Sequence, residues 1–337
     1  LAWEMLRWNR DVSRSVITTR QSEAGMTGKG RGRGMTGLPE MRRGRVALCF
    51  GLICTSTDPG GASLGNYRTP EATWAYAQAE RACYTVLQRQ GLLRMIKTAA
   101  ELDAHVQEWE TPSDTLPPLG FVLDLEGCDP ILAPEQLDEW WESGLRVASL
   151  SHYGAGRYAA GTGPSGGITP IGRELLRGME RLNIILDTAH LSEQAFWEAV
   201  DIFHGPIAFT HGGTRALVPM WRNLSDEQLR VLIDRCGVIG VSMDDWQISA
   251  GWVREQSTPD SVSLENVVDH IDHICQVAGN ADHAALGTDL GGGFGTEQSP
   301  RDLDSIADLP RIWPILQGRG YAEEDINKIL HGNWIRL

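Results

Sequence analysis

Several things are missing from this 337-residue sequence, and each absence narrows the field. No run approaches the eighteen or so consecutive apolar residues that a spanning helix needs, so a transmembrane channel or carrier is excluded. Positive charge is in deficit: the formal net charge is −14, which argues against a nucleic acid or an anionic membrane surface as partner. The six cysteines (Cys49, Cys54, Cys83, Cys128, Cys236 and Cys275) form no C-x-x-C pair and mostly sit in apolar runs. They read as buried free thiols, which points to a reducing, cytoplasmic compartment rather than a disulfide framework or a thiolate zinc knuckle. A phosphate-binding glycine turn is also lacking. "GRGMTG" (32–37) matches G-x-G-x-x-G, but no strand-like run precedes it and Leu38-Pro39 follow.

What is present is alternation. Short apolar runs rich in β-branched residues lie at 46–56, 119–126, 145–152, 183–190, 206–211, 237–243 and 284–290. Amphipathic stretches separate them, and their boundaries carry helix signals: Thr169 as N-cap with Pro170 at the first helical position, Pro134 near a start, Gly144 past an end. Strand–helix alternation of this kind predicts parallel βαβ units, with strands buried on both faces. The expected fold is α/β, a single (β/α)8 TIM-type barrel domain over 1–337. Seven runs are counted where such a barrel has eight strands, and "LAWEMLRWNRD" opens the chain as a helix, so the first strand is expected to fall before Leu1. The Gly- and Arg-rich segment 24–45 reads as a flexible, solvated connection at the end of the barrel away from any active site.

Five runs end in a residue suited to metal or acid–base chemistry: Glu126 in "VLDLE", His152 in "ASLSH", His190 in "ILDTAH", His211 in "IAFTH" and Asp289 in "LGTDLGGG". Loops at the C-terminal ends of parallel barrel strands converge on one mouth, so five such residues at the same end point to a shared site. Two imidazoles and a carboxylate suit zinc, with manganese, iron or cobalt as alternatives. Gly291, Gly292 and Gly293 after Asp289 allow close approach of backbone to a ligand or form a simple turn. Asp187 could orient His190 or cap its strand. His270 and His273 in "DHIDH" belong to the packing or surface of a helix, and His283 is structural. Met243, Asp244 and Asp245 read as a solvated loop.

Taken in order, "DLEG", "LSH", "DTAH", "FTHGG", "RNLSDEQL", "LGTDLGG" and the closing "GYAEEDINKILHGNWIRL" resemble the membrane (renal) dipeptidase family of zinc peptidases over nearly the whole chain. The resemblance implies an amidohydrolase-like barrel with two divalent metals. Glu126 would bridge them, His190 and His211 would hold the second, and Asp289, near the first, would manage the proton of the attacking water. His152 would contact the substrate and stabilise the tetrahedral intermediate. Arg222, in "MWRNLSDEQ", would clamp the substrate carboxylate. The family's H-x-D motif, which supplies the remaining ligands, has no counterpart in the first strand-like run, so one metal site is complete and the other is not. The expected function is a metallo-dipeptidase that cleaves small dipeptides with a metal-activated water, with a homodimer as the candidate assembly. The alternatives are an amidohydrolase acting on N-acyl amino acids, cyclic amides or lactams, and a homologue impaired by the missing ligands.

Overall fold

The fold is described from a computed structural model over residues 1–58, 66–113 and 115–337. By contact the chain divides into two compact units: Ala2–Trp8 with Ala47–Ile207, and Asn9–Val46 with Ala208–Leu337.

In the first unit the strands are β1 (Leu48–Ile53), β2 (Ser56–Thr57), β3 (Asn66–Tyr67), β4 (Leu93–Met95), β5 (Leu119–Glu126), β6 (Leu145–Ser149) and β7 (Ile185–Asp187). The main sheet is parallel throughout, β1 beside β5, β5 beside β6, and β6 beside β7. β4 pairs with Leu119–Phe121 while β1 pairs with Gly120–Leu125, so β4 and β6 lie end to end along the same edge of β5. The register brings strand ends level: Ile53 faces Leu125, Glu126 faces Ser149, and Ser149 faces Asp187. Crossover helices cover the sheet. Thr69 caps Pro70–Arg89, Thr98 closes a capping box on Ala99–Glu110, and Ser192 caps Glu193–Ile202. Thr169 caps Pro170–Arg181 with Pro170 in its first turn, as the sequence signals require. Phe121, Leu123 and Leu125 on β5, Val147 on β6 and Leu186 on β7 are fully buried, the pattern of strands covered on both faces.

The second unit carries β8 (Ile207–Gly212), β9 (Val238–Val241) and β10 (Ala284–Leu286), parallel, with β9 beside both others. Gly240 and Gly287 are needed for this approach: a Cβ on either would collide with the Thr210 carbonyl. The helix Leu264–Ala278 buries Val267, Val268, Ile271 and Ile274 and ends at Gly279 in the left-handed conformation.

All seven apolar runs are strands. β4 was not foreseen, because three residues are too few for a periodicity to show. Segment 24–45 differs from expectation. It is not a solvated connection: it contains the helix Leu38–Arg43, buries Met35, Leu38, Glu40 and Met41, and is tied down by a buried Arg10–Glu23 ion pair at 2.8 Å. Nor does it stay away from the strand C-termini. The Gly30 N–H donates to Glu297 at 2.7 Å and the Thr296 N–H to the Arg33 carbonyl at 3.1 Å, so it packs on the loop that follows β10. Gly28, Gly30 and Gly32 hold positive φ and turn the chain back to make those bonds. Among the described residues no helix is long and apolar enough to cross a membrane.

Candidate active site

In the first unit, four consecutive strand ends assemble donor groups. Glu126 is the last residue of β5 and is buried. The His190 Nε2 lies 3.1 Å from its Oε1, and the His152 Nε2 lies 3.8 Å from the same oxygen. The two imidazole rings are 4.4 Å apart, and Tyr153 packs edge-on to both. His190 takes a positive φ of 68° just past β7, a conformation that costs a non-glycine residue about 1–3 kcal/mol and is held only where its surroundings demand it.

Thr162 orients the His190 ring. Its hydroxyl sits 3.0 Å from Nδ1 and 3.2 Å from the His190 carbonyl, which holds the ring with Nε2 toward Glu126. Asp187 accepts the Ala189 N–H at 2.9 Å, closing the turn after the strand. Beneath Glu126, burial raises the Asp124 carboxyl well above its ordinary range, and the negative charges of Asp187 and Glu126 push it further. Buried acids close to a carboxylate flanked by imidazoles are an electrostatic setting that a divalent cation relieves, and the oxygen and nitrogen donors suit one.

Sequence reasoning passed over one participant. Cys54, immediately after β1, offers a sulfur that lies, with a Glu126 oxygen and a His152 nitrogen, in a group whose atoms are all within 4.8 Å of one another. Its N–H donates to Oε2 of buried Glu80 at 2.9 Å. Burial pushes the Glu80 carboxyl up to about 8, against the effect of that hydrogen bond. Nothing local marked it: Cys54 lies inside the apolar run 46–56, where a thiol breaks no pattern. The expectation that the cysteines are buried holds for Cys128 and Cys275. Cys54 is half-buried and Cys236 exposed, and none of the six described cysteines is in a disulfide.

In the second unit the strand ends carry charge. His211 is buried on β8 with its Nδ1 2.9 Å from the Thr210 hydroxyl, the same hydroxyl-on-Nδ1 arrangement as at His190. The segment 213–224 folds back on itself. Asn223 accepts the Gly213 N–H at 3.0 Å and donates to the Gln247 carbonyl at 2.8 Å, and the Arg215 N–H donates to Leu224. This carries Arg222 inward, buried, with its guanidinium 5.5 Å from the centre of the Phe209 ring. Gly212 supplies the room, since a Cβ there would meet Phe209 and approach Arg222. Asp289 follows β10 with a positive φ of 57°, and a Cβ at Gly292 would strike its Oδ1, so one of the three glycines is sterically required. Lys29 of the packed segment lies near Asp289, Asp244 and Glu297.

Asp244 and Asp245 are buried and not part of a solvated loop. Asp244 is bonded by Gln298 at 2.6 Å and Arg254 at 3.1 Å. Neither carboxyl oxygen of Asp245 has a hydrogen-bond partner among the described residues, and burial, with Asp244 and Asp302 nearby, pushes it up to about 8. Four other histidines are structural: His270 holds Thr214, His273 pairs with Asp226 at 2.8 Å, His283 bonds the Gly237 carbonyl, and His105 bonds the Ala47 carbonyl.

The model of the family "Membrane dipeptidase (Peptidase family M19)" matches residues 17–337. An uncharacterized protein in the pqqA 5' region of Klebsiella pneumoniae is 30% identical over 258 residues, covering 73% of this chain and 88% of that protein. Dipeptidase tcpJ of Claviceps purpurea is 32% identical over 198 residues, 58% of this chain and 44% of the dipeptidase, so the chain spans under half of that relative's length. Among solved structures, the metallo-peptidase dipeptidase AC of family M19 superposes with a TM-score of 0.80 at 23% identity, covering 100% of this chain and 94% of that one. A Rhodobacter sphaeroides metallo-peptidase, bound to a phosphinate mimic of the dipeptide L-Ala-D-Ala, superposes at 0.75 with 23% identity and 95% coverage of both chains. The chain belongs to the membrane dipeptidase family, peptidase family M19, whose members are metallo-dipeptidases built on an amidohydrolase-like parallel β/α fold.

Proposed function

We propose that this chain hydrolyses the amide bond of small dipeptides with a free C-terminal carboxylate, and that it uses zinc. The observation that carries the reading is Glu126 at the end of β5 with the His190 and His152 imidazoles at 3.1 and 3.8 Å. On the family resemblance, His211 joins Glu126 and His190 in holding one metal, and Glu126 and Asp289 serve a second. A divalent ion there supplies Lewis acidity and makes water acidic enough to attack at neutral pH.

The chain's own side chains do the rest. Arg222 binds the substrate carboxylate through the paired N–H groups of its guanidinium, which fixes the dipeptide's direction. His152 donates a hydrogen bond to the carbonyl oxygen as negative charge develops on it. Asp289 accepts the proton released on attack and returns it to the departing amine. The phosphinate mimic bound by the Rhodobacter relative supports a short dipeptide, with a D-residue tolerated at the carboxyl end, as the substrate class.

The test is a panel of L,L and L,D dipeptides offered to the full chain after chelation and again after addition of zinc, manganese or cobalt. Metal-dependent turnover that falls when the amino terminus is blocked is the expected result. Cleavage of N-acyl amino acids or lactams with no dipeptide turnover overturns it in favour of a related amidohydrolase.

A further inference from the structure

We propose that Cys54 is a metal ligand, and that its thiolate, the Glu126 carboxylate and the His152 imidazole hold a divalent cation of the zinc, cobalt or iron(II) class. The inference rests on Glu126 being a metal ligand, as in the proposed function, and gives the second of its two metals two further ligands, Cys54 and His152.

Four observations carry it. The pairing register sets Ile53 beside Leu125, so the next residues, Cys54 and Glu126, emerge side by side from adjacent parallel strands. Glu126 in turn faces Ser149, and His152 follows three residues later, so β1, β5 and β6 each contribute one donor. The three donor atoms lie within 4.8 Å of one another, close enough to converge on one ion. The backbone of Cys54 is anchored by its N–H bond to Glu80 on the helix Pro70–Arg89, which fixes where its Cβ sits.

The chemistry of the set is selective. One sulfur, one nitrogen and one oxygen donor match zinc and its neighbours, whereas magnesium and calcium call for oxygen alone. A thiolate and a carboxylate together neutralise a dication. Binding breaks the Cys54 S–H bond, forms a sulfur–metal bond and releases the proton to solvent, so occupancy strengthens as pH rises. His152, 22% exposed where Glu126 is 7%, is the donor that an entering substrate displaces, which leaves its imidazole available to the carbonyl oxygen.

The test is spectroscopic and does not depend on turnover. The full chain is stripped of metal, titrated with cobalt(II), and compared with Cys54→Ser and Cys54→Asp by metal analysis and near-ultraviolet absorption. The wild type is expected to show a thiolate-to-cobalt charge-transfer band and to bind about two equivalents. Cys54→Ser should lose the band and hold one equivalent at least tenfold more weakly. Cys54→Asp should recover the equivalent without the band. Wild-type protein that binds metal with no such band, or a band that persists undiminished in Cys54→Ser, overturns the Cys54 assignment and leaves the dipeptidase reading standing. Failure to bind any metal overturns both. Should the Cys54→Ser protein fail to fold, iodoacetamide labelling of Cys54 in the wild type, read by peptide mass, decides: protection by zinc supports the site, and equal labelling with and without zinc overturns it.

Discussion

The two units place polar groups at the C-terminal ends of their strands in opposite ways. At the ends of β1, β5, β6 and β7 the groups are donors that face one another: a thiol, a carboxylate and two imidazoles, above an Asp124 carboxyl pushed up by burial and by its acidic neighbours. After β9 the charges are largely matched: Asp244 has Arg254 and Gln298, and the Glu297 carboxylate accepts the Gly30 N–H. A cluster of donors around one carboxylate is eased by a proton or a cation, whereas a matched network is satisfied by its own partners. The first arrangement offers donor groups to a metal ion, and the second ties its carboxylates to partners within the fold.

Breaking the donor cluster should have the largest effect. Glu126→Gln removes the carboxylate central to it, and kcat/KM on dipeptides should fall on the order of a thousand-fold, several kcal/mol of transition-state stabilisation. Metal analysis of the same protein should show the loss, and full metal content with normal turnover would dissolve the distinction between the units. Next is Arg222→Lys, which keeps the charge but loses the paired N–H groups. Roughly a hundred-fold loss in kcat/KM, carried mainly by KM, is expected in steady-state kinetics, with metal content unchanged. Thr162→Val frees the His190 Nδ1 from its hydroxyl partner. Metal affinity by competition with a chelator should weaken about tenfold while the fold melts within a few degrees of the parent.

The smallest effect tests the frame. Asp245 has a folded pKa of about 8, above its ordinary value, so folding favours its protonated form and stability is lost as pH rises from about 4 through 8. Asp245→Asn abolishes that loss. Its melting temperature should exceed the parent's by a few degrees at pH 9 and match it more closely at pH 4. An equal shift at both pH values would show that Asp245 does not titrate in this window.

The sequence was most legible where one pattern repeats. Continuous apolar runs marked seven strands, and Thr169-Pro170 marked a helix start, because strand burial and capping are local consequences of residue type. Glu126, His190 and His211 were visible for the same reason: a polar residue ending an apolar run is an exception to the local rule. Cys54 was hidden because a thiol in an apolar run breaks no rule. Asp244 and Asp245 were misjudged because adjacent acids look solvated until Arg254, on the loop that follows, and Gln298, 54 residues on, are brought against one of them.

Sequence alone determined the parallel β/α architecture, the strand-end residues and the family, since each depends on residue type and short-range order. Tertiary structure decided three further things. The β1–β5 register brought Cys54 to Glu126, Thr162 reached His190 across 28 residues, and segment 24–45 folded onto the loop after β10. These are contacts between residues remote in sequence. Their free energy comes from burial and hydrogen bonding that exist only once the strands are paired, so no local pattern could announce them.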